Sequence, residues 1–144
     1  MTEYWFENRL AISGPPKKLL KIATHLLTDD EEDFNHTWFG NPVSGRVLSF
    51  EKIISHGASD AASCMEHWGV IGEPEEVNGF IYFNTLIYRF DSGSYYAQPA
   101  IQVFETLKRI TKDAYVSWYF HCSELENAGY LDVKRKTEEE LRYG

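Results

Sequence analysis

Cysteine is scarce in this chain: Cys64 and Cys122 are the only two among 144 residues. Two thiols cannot build the disulfide framework that staples small secreted domains, and a chain of this length can bury a core without one. A reducing compartment is the expectation, hence a cytoplasmic protein. No apolar run approaches the ~20 residues that a membrane helix needs. The opening MTEYWFENRL has neither a basic nor an apolar signal region. Basic residues are outnumbered: 14 Lys and Arg stand against 22 Asp and Glu, for a formal net charge of −8. Such a chain is repelled by phosphate backbones unless its cations gather on one face. Lys17, Lys18 and Lys21 form one short cluster, and Lys134, Arg135 and Lys136 another, each near acids. Nucleic acid is therefore not the expected partner. Also missing are a Gly-x-Ser-x-Gly elbow, a glycine-rich phosphate loop and the Lys/Arg-Gly-Phe run of RNA-binding sheets. No catalytic residue is assigned, and no cofactor.

What the chain does hold is rings. Aromatics make up 15% of it, and rings must go into a core or onto a surface that something else covers. Trp5–Ser13 reads as a strand, with Phe6, Leu10 and Ile12 on one face and Trp5, Glu7, Arg9 and Ala11 on the other. Ser13-Gly14-Pro15-Pro16 ends it and opens a helix over Lys17–Leu27, where Leu19, Ile22, Ala23 and Leu26 make an apolar stripe. Asp29–Asp33 lacks the alternation and turn glycine of a calcium loop, and Asn35–Gly45 reads as loop. Arg46–Ser55 reads as an edge strand. Ser59 is placed to cap a helix over Asp60–Trp68, which Gly69 stops. Gly72–Glu76 reads as an acidic loop and Asn78-Gly79 as a turn. Phe80–Tyr88 is apolar on both faces, as in a strand covered on both sides. Asp91–Ser94 reads as loop, and Gln98–Thr111 as an amphipathic helix begun by Pro99. Ala114–Cys122 is the next strand. A turn at Asn127–Gly129 leads to a last short strand at Tyr130–Lys134.

The order is β-α-β-(α)-β-α-β with one strand to follow. It predicts an α+β domain, a ferredoxin-like sandwich over residues 1–134: an antiparallel four- to five-stranded sheet with helices mainly on one face. Residues 135–144 form a charged tail. The segment Trp5-Phe6-Glu7-Asn8-Arg9-Leu10-Ala11-Ile12-Ser13-Gly14 resembles the opening of the YubB-like proteins of plasmids and phages. Trp68-Gly69, Tyr82-Phe83-Asn84-Thr85 and the aromatic strand Tyr115–Phe120, followed by Glu124 and Gly129, resemble the same family. The resemblance implies a ferredoxin-like domain in an accessory protein of a mobile element, and it implies no activity.

Metal ligation is considered at Cys64-x-x-His67 and His121-Cys122. The second pair fails, because neighbours on a strand point to opposite faces. No metal is assigned. The open side of the sheet is the stronger lead. Trp5, Glu7, Arg9, Tyr82, Tyr115, Tyr119 and His121 are expected there, and Tyr, Trp and Arg are the residues that anchor interfaces. The expected function is that of a small acidic, non-enzymatic accessory protein. It would bind a macromolecular partner, a host or element-encoded protein or a second copy, through this face or through acids that stand in for phosphates. The alternative is a small-molecule or nucleotide-binding domain, enzymatic or not, with its pocket near His67 and Trp68.

Overall fold

The computed structural model describes residues 3–27, 36–38, 41–43, 47–96, 99–111, 114–125 and 127–132. In chain order the elements are β1 (Tyr4–Ser13), α1 (Pro16–Leu26), β2 (His36–Trp38), β3 (Asn41–Val43), α2 (Ala61–Trp68), β4 (Glu75–Tyr82), β5 (Thr85–Ser94), α3 (Ile101–Ile110), β6 (Tyr115–Cys122) and β7 (Asn127–Asp132). Five strands form one open antiparallel sheet in the order β4-β5-β1-β6-β7, and β2 and β3 pair separately. The architecture is thus α+β, as expected, with β1 at the centre of the sheet.

Alternation along β1 decides which side is core. Phe6, Asn8, Leu10 and Ile12 are buried, while Glu7 and Arg9 are exposed. The buried face of β1, with Leu86, Tyr88 and Phe90 of β5 and Val116 and Trp118 of β6, meets all three helices in one cluster. Leu19, Ala23 and Leu26 supply the stripe of α1; Val103, Phe104 and Leu107 supply that of α3. Rings connect edge to face through this layer: Trp68 on Phe50, Phe50 on Phe90, Phe90 on Trp118 and Trp118 on Phe104.

A polar side chain of the central strand is set in this apolar layer. Asn8 accepts a hydrogen bond from Trp118 Nε1 at 2.9 Å and donates to Ser92 Oγ at 2.9 Å. Its amide also reaches the carbonyls of Phe6 and Phe90, at 3.1 and 3.3 Å. A buried carboxamide is tolerated only when satisfied in this way.

Several boundaries differ from those the sequence predicts. Phe80–Tyr88 is not one strand: it is the end of β4, a turn at Phe83-Asn84 and the start of β5. Phe83 takes the positive φ of 53° that the hairpin needs, a role usually given to Gly or Asn. Asn78-Gly79 lies inside β4 and not at a turn, and Asp91–Ser94 completes β5 in place of a loop. The acidic loop at Gly72–Glu76 is shorter than expected, because Glu75 already pairs with Asp91. Nor are the two sides of β5 alike: among the described residues Leu86, Tyr88 and Phe90 pack under the helices, while Arg89 is exposed on the other side.

Arg46–Ser55 is not an edge strand. Its described part, from Val47 on, is a set of turns in which the Ile53 and Ile54 amides both donate to the Phe50 carbonyl. The Glu73 carboxylate holds it, accepting from Ser49 Oγ and from the Phe50 and Glu51 amides. Val47, Leu48, Phe50, Ile53 and Ile54 fill the core from these turns without strand pairing. Asp60, not Ser59, caps α2, accepting from the Ser63 amide at 2.8 Å; Gly69 ends it in the left-handed region, as expected. The segment expected as loop at Asn35–Gly45 contains the β2–β3 pair, and Asn127–Gly129 opens β7 where a turn was expected. The Asp29–Asp33 run and the 135–144 tail lie outside the described residues.

Replacing Asn8 with Ala strands the Trp118 indole N–H and the Ser92 hydroxyl in the core. The expected loss is about 2–4 kcal/mol in urea unfolding. Adding Trp118→Phe to that variant costs less than the two single losses summed, and a double-mutant cycle measures the difference.

Candidate functional site

The sheet face opposite the helices is built in rows, because directly paired residues share a side. Trp5 lies across from Gly93. A Cβ on Gly93 would come within 3.0 Å of the indole, so glycine is what lets the ring lie over the strand. In the next row Glu75 pairs with Asp91, Asp91 with Glu7 and Glu7 with His121. Beside it Asn78 pairs with Arg89, Arg89 with Arg9 and Arg9 with Tyr119. Then come Phe80, Ile87, Ala11 and Ser117, and finally Tyr82, Thr85, Ser13 and Tyr115. The surface is therefore banded across four strands: an acidic row, a basic row, a row that ends in Phe80 and a row with Tyr82 and Tyr115 at its ends.

Both charged rows set like beside like. Neighbouring strands are ~4.8 Å apart, so carboxylates on adjacent strands repel, and so do the two guanidiniums. Asp91 shows the effect. Burial first, then Glu7, Glu76 and Glu75, push its carboxyl above the ordinary aspartate range. His121 Nδ1 stands 3.8 Å from Glu7 Oε2 at the end of the acidic row. The arginines lean on rings: Arg9 lies 5.8 Å from the Tyr119 ring centre and Arg89 5.6 Å from that of Phe80. A concavity of about 600 Å³ runs between the two charged rows, bordered by Glu7, Arg9, Glu76, Arg89, Asp91 and Tyr119.

All seven residues expected on the open face share it, Glu7 among them. Trp5, Arg9, Tyr115, Tyr119 and His121 reach it from β1 and β6, and Tyr82 from β4. His67 and Trp68 are not with them. The Trp68 side chain is fully buried, its Nε1 donating to the carbonyls of Ile54 and His56 at 3.2 and 3.0 Å. His67 packs edge to face on His56, with ring centres 4.6 Å apart. Arg89, Asp91 and Phe80 are the site residues the sequence reading missed. Their signal was present in the period-two pattern of Leu86, Tyr88 and Phe90, which carries a strand on past Tyr88.

The helix side offers other clefts. One of about 750 Å³ is bordered by Glu51, Asp60, Glu73, Cys64 and Trp68. Burial and then Glu73 and Asp60 push the Cys64 thiol up, which keeps it protonated and a poor nucleophile. Cys122 is buried on the core side of β6 while His121 faces out, as strand alternation requires. Among the described residues, no group of three or more His, Cys, Asp or Glu side chains is placed to hold a metal ion. No helix among them is long and apolar enough to cross a membrane. No family model, curated protein or solved structure matches the chain.

Asp91 supplies a pH test. An acid whose folded-state pKa is raised stabilises the fold below its unfolded pKa, and that contribution is lost as pH rises through the folded value. Asp91→Asn removes the repulsion, so its unfolding midpoint at pH 7 is expected about 2 °C above that of the parent. Below pH ~3.9, where the unfolded aspartate is itself protonated, the gain disappears; thermal melts across a pH series check it.

Proposed function

We propose that this chain is a non-enzymatic protein-binding module of ferredoxin-like architecture, whose open sheet face receives a partner carrying a basic surface. The observation that carries the reading is the acidic row Glu75–Asp91–Glu7 beside the arginine row, both on a face that the three helices leave uncovered. Like charges in rows cost stability, and proteins retain such costs where a partner relieves them. A Lys- or Arg-rich strip laid along the acidic row would relieve Asp91 and Glu7. A partner carboxylate or carbonyl would complete Arg9 and Arg89, and Tyr119, Phe80 and Trp5 would supply the ring anchors.

With a net charge of −8, the carboxylates present to such a partner what a phosphate backbone would. That is the chemistry of a charge mimic of nucleic acid. The ferredoxin-like assignment is supported by the strand sequence β4-β5-β1-β6, in which the first strand takes a central place and helices connect it on one side; α2 and β7 are additions to that plan. The resemblance of Trp5–Gly14 to the YubB-like proteins adds the reading that the chain is an accessory protein of a plasmid or phage. The runner-up is a small-molecule site, for which the cleft beside Trp68 and Cys64 is the natural place. Its acidic border disfavours nucleotides.

The test is titration of the labelled protein with an arginine-rich peptide, followed by NMR. The expected result is a set of shifts confined to Glu7, Arg9, Asp91, Glu75 and Tyr119, fading as salt is raised. A Glu7→Gln/Asp91→Asn double variant, folded by its own spectrum, binds about five- to ten-fold more weakly. Shifts scattered over the surface, or affinity untouched by the double variant, would refute the reading.

A further inference from the structure

We infer that β4 is a pairing edge for a second copy of this chain, joined antiparallel about a twofold axis close to Ile81. β4 ends the sheet, and among the described residues its outer side forms no backbone hydrogen bond. The two halves of this edge differ. At Glu75–Asn78 the strand carries one residue more than β5 opposite it, a bulge in which Glu76 takes a φ of 51°. Bulges and charges are the devices that keep edges from pairing. The other half, Gly79–Tyr82, is in regular register and has none of them. Phe80, Ile81 and Tyr82 are all exposed there, although they alternate between the two faces. An edge that is regular, apolar on both faces and unpaired is a template for another strand.

Phe83 completes the argument. It occupies a left-handed backbone position that favours Gly or Asn, and its side chain is 82% exposed. Its ring touches that of Tyr82, with centres 4.5 Å apart. Both the backbone and the exposure work against the isolated fold, so the ring serves something outside it.

A second copy fits this edge in three respects. An antiparallel register centred on Ile81 sets Phe80 against Tyr82 of the other copy and extends the sheet. It brings each Phe83 beside the other copy's Gly79, the one position of this half-strand without a side chain. It also sends the Glu75-Glu76 ends of the two strands in opposite directions, so like charges do not meet at the seam. Any register that centred the axis on the acidic half would oppose them.

Sedimentation equilibrium over a concentration series is the test. The mass is expected to climb from 16.7 kDa toward twice that value. Higher salt should favour the dimer, because each copy carries −8 and screening lowers their repulsion. Ile81→Lys and Ile81→Glu, each checked by circular dichroism, should both be monomeric, and an equimolar mixture should restore the dimer. Phe83→Asn relieves the backbone and removes the ring. It should weaken the dimer at least ~5-fold while the unfolding midpoint holds or rises. A parent protein that stays monomeric throughout overturns the inference and leaves the edge to a strand from a different protein. An Ile81→Lys protein that dimerises as the parent does, or a mixture that stays monomeric, overturns it too. So does a Phe83→Asn protein with undiminished association.

Discussion

The carboxamide of Asn8 is the constraint on which the sheet depends. It is the polar group on the buried face of the central strand, and it is satisfied from both sides. Ser92 and the Phe90 carbonyl come from β5, and the Trp118 indole comes from β6. A slip of either neighbour along β1 would leave a buried donor or acceptor empty, which costs more than a single hydrogen bond gains. Apolar packing alone tolerates sliding, since Leu, Ile and Val substitute for one another at modest cost. A directional polar anchor does not. The register it enforces places Arg9 across from Arg89 and Glu7 across from Asp91 on the opposite surface. The core therefore determines how the charges outside it are arranged.

That arrangement puts electrostatic cost on the side away from the three described helices. Carboxylates stand next to carboxylates, and guanidiniums next to guanidiniums. Swapping Asp91 and Arg89 along β5 would turn both rows into alternating pairs with the same composition. The two arginines find partial relief on the rings of Tyr119 and Phe80. Asp91 finds none among its acidic neighbours, as its raised carboxyl shows.

Much of this could be read from the chain before any coordinates. β1, α1, α3 and β6 were legible because each has a clean period and a terminator: Gly14-Pro15-Pro16 after β1, Pro99 before α3. The β4–β5 hairpin was not. Its turn is made by Phe83-Asn84, with no glycine to mark it, while the true Asn-Gly dipeptide sits inside a strand. Taken as one strand, the nine residues Phe80–Tyr88 shift the register and hide Arg89, Asp91 and Phe80 from the site. The turns after Val47 were illegible for another reason. Their apolar spacing imitates a strand, and what holds them is a carboxylate about 22 residues further on, at Glu73. Trp68 lies apart from the open face, and an aromatic beside a glycine can serve a pocket or a core equally well in sequence. The indole N–H bonds to Ile54 and His56 decide for the core.

The central position of β1 also governs how the molecule comes into being. Its two neighbours lie far along the chain: the bonds of Asn8 span 82 residues to Phe90 and 110 to Trp118. Such remote closures make folding slow relative to helical bundles of equal size. During synthesis β1 leaves the ribosome well before either neighbour, and its pairing waits for β5 on one side and for β6 on the other. The buried asparagine is then an asset of a second kind, because it makes a purely hydrophobic stretch less adhesive to other nascent chains in the interval.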